Sequence, residues 1–80
     1  MKTYLNVMFS ASANGKVSEV IRKLQAIGFT PVTGKYDFEF QWTKDPKIEE
    51  IAVLGNNIQR ALKDAGVMFK LETVSDKIVL

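Results

Sequence analysis

Residues alternate in polarity from Lys2 to Phe9, with Thr3, Leu5, Val7 and Phe9 on one side and Tyr4, Asn6 and Met8 on the other. That two-residue period is the signature of a β-strand. After the small, polar stretch Ser10-Ala11-Ser12-Ala13-Asn14-Gly15, apolar residues fall at Val17, Val20, Ile21, Leu24 and Ile27, the spacing of one helix face, and Gly28 offers a left-handed C-cap. Phe29 to Val32 forms a short apolar strand, which Pro31 confines to a sheet edge because it has no N–H to donate. A turn at Thr33-Gly34 leads to a third strand, in which Tyr36, Phe38, Phe40 and Trp42 alternate with Asp37, Glu39 and Gln41. Asp45 as N-cap and Pro46 at the first helical position open a second helix, whose stripe runs Ile48, Ile51, Leu54, Gly55, Ile58, Leu62 and Ala65 before Gly66 stops it. A fourth strand sets Val67, Phe69, Leu71 and Thr73 against Met68, Lys70 and Glu72, and Ser75-Asp76 turns into a short extra strand or tail, Lys77 to Leu80.

The halves echo one another. The run from Val20 to Phe29 aligns without gaps on Ile58 to Val67, with apolar, Arg, Leu and Gly positions in step. Two β-α-β units joined by a hairpin predict one α+β domain over residues 1–80. Its expected form is a ferredoxin-like β-α-β-β-α-β sandwich, a four-stranded antiparallel sheet with two helices on one face. Only one choice of sheet faces gives those helices an apolar partner: Leu5, Val7, Phe9, Tyr36, Phe38, Phe40, Trp42, Val67, Phe69 and Leu71 point inward. Gly55, on the inward side of the second helix, is expected to let that helix settle closely over Phe40 or Trp42. The opposite face carries Tyr4, Asn6, Met8, Asp37, Glu39, Gln41, Met68, Lys70 and Glu72, with no further helix in the sequence to cover it.

Composition narrows the chemistry. Neither cysteine nor histidine occurs, which removes disulfides, thiolate metal sites, redox chemistry at sulfur and the usual nucleophile–base pairs. No catalytic residue, cofactor or metal site is therefore expected, and the reading is of a protein that is not an enzyme. Asp37, Glu39 and Glu72 share a face, but the aspartate-rich loop of a calcium site is missing. Eleven basic residues against nine acidic ones give a net charge of +2, spread along the chain rather than gathered into a basic tract, so nucleic acid is not an expected partner. No apolar stretch approaches the roughly 20 residues of a membrane span, and the first residues lack a leader's apolar segment, so no membrane partner and a cytoplasmic location are expected.

The segment Tyr36-Asp37-Phe38-Glu39-Phe40 is superficially similar to the third-strand motif of RNA-recognition motifs, but the register turns its aromatics toward the helices and leaves Asp37 and Glu39 outside. The expected fold also resembles acylphosphatases and heavy-metal-binding domains. The loop Ser10 to Lys16 holds neither the arginine that the first family needs nor the paired cysteines of the second. Gly15, Val17, Val20, Leu24, Gly28 and Phe29 resemble the pattern of ACT-type regulatory domains, a likeness that implies a small-molecule or anion-binding role for the loop after strand one. In that loop Ser12, Asn14, Gly15 and Lys16 are candidates to hold a small anion or amino acid. The first expectation is a binding or assembly module that pairs with a second copy, as a homodimer, or with another protein. The expected interface is Tyr4, Asn6, Met8, Asp37, Glu39, Gln41, Met68, Lys70 and Glu72, with the tail as a second route.

Overall fold

A computed structural model of the protein describes residues 1–9, 17–63 and 65–74. The expected ligand loop around Ser12, Asn14, Gly15 and Lys16, and the segment Lys77 to Leu80, lie outside these residues. The elements run β1 (Lys2–Phe9), α1 (Val17–Ile27), β2 (Thr30–Pro31), β3 (Phe38–Gln41), α2 (Ile48–Leu62) and β4 (Val67–Val74). The strands form one antiparallel sheet in the order β2-β3-β1-β4, and both helices contribute to a single core on one of its faces. The protein is thus α+β, with an open four-stranded sheet.

The two strands with the cleanest alternation are also the longest. β1 pairs with β4 along its full length, from Lys2 opposite Val74 to Phe9 opposite Val67, and with β3 from Lys2 opposite Gln41 to Leu5 opposite Phe38. β2 is only two residues long and sits at the sheet edge, where the missing N–H of Pro31 costs no ladder bond.

Gly28 ends α1 with φ +123°. Its N–H bonds the carbonyl of Gln25, and the N–H of Phe29 bonds that of Leu24, the paired bonds of a Schellman cap. α2 starts later than Asp45-Pro46 suggested. Its N-cap is Lys47, whose N–H donates to the Glu50 carboxylate at 3.0 Å, so a glutamate three residues on satisfies the exposed end and Pro46 lies outside the helix. In consequence Ile48, expected on the apolar stripe, stands 83% exposed in the first turn.

The core holds Leu5, Val20, Leu24, Phe29, Phe38, Leu54, Ile58, Leu62 and Ala65, with Val7, Phe40, Trp42, Val67, Phe69 and Leu71 packed against it. Val20 and Ile58, and Leu24 and Leu62, occupy equivalent places in the sequence echo, and all four are buried, so each half contributes the same two anchors. Thr3 is the one buried polar residue among the described residues. Its hydroxyl lies 2.8 Å from that of Thr73, directly across the β1–β4 ladder, and accepts the Trp42 indole N–H at 2.7 Å. Phe9, expected inward, is partly exposed at the end of β1.

Gly55 has a different neighbour from the one expected. A Cβ built there meets the Leu71 side chain at 3.6 Å, an ordinary contact, and nothing crowds it from Phe40 or Trp42. The backbone needs no glycine at this place, so Gly55→Ala is expected to stabilise the fold by about 1 kcal/mol through helix propensity. Chemical denaturation reads this directly; a lower midpoint for the variant rules out the ordinary contact.

Candidate functional site

The uncovered sheet face is ordered in rows by the strand register. Gln41, Lys2 and Val74 form the first row, Glu39, Tyr4 and Glu72 the second, Asn6 and Lys70 the third, and Met8 and Met68 the fourth. Met8 and Met68 are direct cross-strand partners and are 69% and 71% exposed. Side by side, they make one end of the face apolar, with the exposed Val74 at the other, and methionine adapts its shape readily to a partner surface. Lys2 approaches Glu39 at 3.7 Å, a half-exposed pair that contributes little stability.

One aromatic departs from the alternation. Tyr36 was expected inward with Phe38, Phe40 and Trp42, yet its ring stacks on Tyr4 on the open face, with centroids 4.3 Å apart and planes 15° from parallel. Its hydroxyl donates to the Glu72 carboxylate on the far side of β1, so the side chain straps across the sheet from the β3 side to β4. Lys35 Nζ stands 5.5 Å from the ring centroid, within cation–π range. The hydrogen bond to Glu72 is the main cause of a Tyr36 pKa above the ordinary 10.0, with burial and the Glu72 charge acting in the same direction.

The cause lies one residue further on, at Asp37. The β3 ladder ends at Phe38, and there the Asp37 N–H turns to the Leu5 carbonyl at 3.1 Å and the Asn6 side-chain oxygen at 2.9 Å. The Asp37 carboxylate in turn accepts the Val7 N–H at 2.9 Å, standing in for the main-chain acceptor that a continuing strand supplies. Side chain replacing main chain bends the chain at this point, and the two-residue period no longer fixes which side Tyr36 takes.

The structure brings Tyr4, Asn6, Met8, Glu39, Met68, Lys70 and Glu72 together on this face. Asp37 and Asn6 are engaged with backbone N–H groups at the end of the ladder, and the Gln41 amide donates to the carbonyls of Met1 and Trp42. Sequence reasoning missed Lys2, Tyr36, Lys35 and Val74. Val74 simply extends β4 by one residue, whereas Tyr36 was signalled only by the capacity of Asp37 to bond backbone. Among the described residues no three carboxylates gather to hold a metal ion, and no helix is long and apolar enough to cross a membrane. No family model matches the chain, and neither a curated protein nor a solved structure matches it.

Proposed function

We propose that the protein is a non-enzymatic assembly module of ferredoxin-like architecture that pairs with a second copy of itself through the open sheet face. Read from its other edge the strand order is β4-β1-β3-β2, and with two β-α-β units it supports the finer architectural reading. The observation that carries the functional reading is the exposed Met8–Met68 pair on a face whose rows bear opposite charges.

A two-fold axis lying in that face, running across the strands between the row of Tyr4 and the row of Asn6, sets each strand against its own copy and reverses the order of the rows. Met68 then meets Val74 of the partner, and Lys70 meets the partner's Glu72. With strands about 4.8 Å apart and residues rising about 3.3 Å, the eight residues each of β1 and β4, the four of β3 and the two of β2 give roughly 350 Å² of face per copy, hence about 700 Å² in all, the size of a weak, concentration-dependent interface. The stacked Tyr4 and Tyr36 supply the rigid aromatic surface that such interfaces favour.

Light scattering across a wide concentration series is expected to show a dimer. Met8→Lys with Met68→Lys, which sets like charges at the partner's Lys2 and a charge against the partner's Val74, is expected to leave a monomer with unchanged helix content by circular dichroism. Lys70→Glu and Glu72→Lys should each weaken the dimer, and the two together should restore it. A strict monomer at every concentration retires the reading, and a dimer indifferent to all four substitutions moves the interface elsewhere.

A further inference from the structure

On the other side of the molecule, a groove opens between the C-terminal end of α1, β3 and the first half of α2, lined by Ile27, Phe40, Trp42, Glu49, Glu50, Val53, Leu54 and Asn57. Its volume is about 390 Å³, within the range of small-molecule sites. The floor is aromatic: Phe40 and Trp42 meet edge to face at 4.8 Å, and Phe40 packs in turn on Phe29. The indole N–H of Trp42 is committed to Thr3, which holds the ring in place and leaves the groove no donor from that side chain. Val53, which the apolar stripe of α2 does not explain, lines the groove at 57% exposure.

The charge of the groove is of one sign. Among the described residues two glutamates line it and no lysine or arginine does, although the chain as a whole is net positive. Glu50 is bonded to the Lys47 N–H, while Glu49 is exposed on the first turn of the helix. Aromatic rings beside carboxylates recognise one chemistry above others, a cation too weakly hydrated to prefer water: the rings attract it by their quadrupoles and the carboxylates by their charge. Ile27, Val53 and Leu54 add apolar surface for a hydrocarbon substituent.

We infer that this groove binds a small organic ammonium ion carrying an apolar group, with its cationic head against Phe40, Trp42 and Glu49. It lies on the helix side of the sheet, away from the proposed dimer face, so the two readings stand or fall separately.

Trp42 is the only tryptophan in the chain, and its emission reports the groove directly. Titrating the intact protein with butyltrimethylammonium is expected to give a saturable change in that emission. The neutral isostere, with carbon in place of the nitrogen, is expected to bind about tenfold or more weakly. Glu49→Gln should narrow that preference while leaving the isostere's affinity unchanged, and Val53→Arg, which places a guanidinium at the groove, should abolish cation binding with helix content retained. Equal affinity for cation and isostere, or no saturable change with the cation, overturns the inference; so does full cation binding by folded Val53→Arg protein.

Discussion

Replacing Gly28 by alanine is expected to lower stability by about 2–6 kcal/mol, which for a domain of this size lowers the melting temperature by at least about 8 °C. Two costs add. The backbone at Gly28 has φ +123°, where a side chain brings strain of about 1–3 kcal/mol. The new Cβ also falls 2.8 Å from Cε2 and 3.3 Å from Cδ2 of Phe40, a ring held between Phe29 and Trp42, so relieving the overlap disturbs a packed aromatic cluster at a further cost of about 1–3 kcal/mol. Gly34 separates the two terms. Its φ is +105°, and a Cβ there meets nothing within 4 Å, so Gly34→Ala carries the strain alone. Thermal unfolding of both variants is the measurement. Equal losses at the two positions dismiss the Phe40 overlap, and no loss at Gly28 dismisses the cap geometry as well.

That cap was legible in the sequence because everything it needs is local: an apolar stripe ending at Ile27, a glycine, and then Phe29 to close the contact with the helix. β1 and β4 were legible for a related reason. Each pairs in unbroken register, so alternation alone assigns their faces, and Met8 and Met68 emerge on the outer side as expected. Tyr36 was not legible, because its side depends on whether Asp37 continues the ladder or caps Val7 with its carboxylate. The sequence permits both, and contacts some thirty residues away decide. The start of α2 was misplaced through a contest of two local signals: Asp45-Pro46 is a good opening, but Glu50 reaching back to Lys47 closes the helix two residues later. The groove was not legible: Val53, an apolar residue off its stripe, reads in the sequence as an ordinary exposed valine. Phe40 and Trp42 become its floor because the register of β3 turns them toward the helices, and in the sequence they look like core and nothing more.

Thr3 is expected to resist replacement more than its size suggests. Thr3→Val keeps the shape of the side chain and the β-branched fit to a strand, yet about 2–6 kcal/mol of stability should be lost in denaturant unfolding. The Thr3 hydroxyl accepts the indole N–H of Trp42 and shares a hydrogen bond with Thr73, so a single change takes a partner from two groups in a largely buried place. Each such group costs about 1–3 kcal/mol when left unsatisfied. Sequence alone held the means to find this network: Thr3 and Thr73 share the inward phase of adjacent strands, and a tryptophan turned toward a core needs an acceptor for its N–H. A double-mutant cycle distinguishes the network from simple packing. With Trp42→Phe in the background no indole N–H is left to strand, so Thr3→Val should cost about 1–3 kcal/mol less there than in the parent chain. Strict additivity of the two substitutions contradicts the shared hydrogen bond, and the loss from Thr3→Val then belongs to the Thr73 side of the network alone.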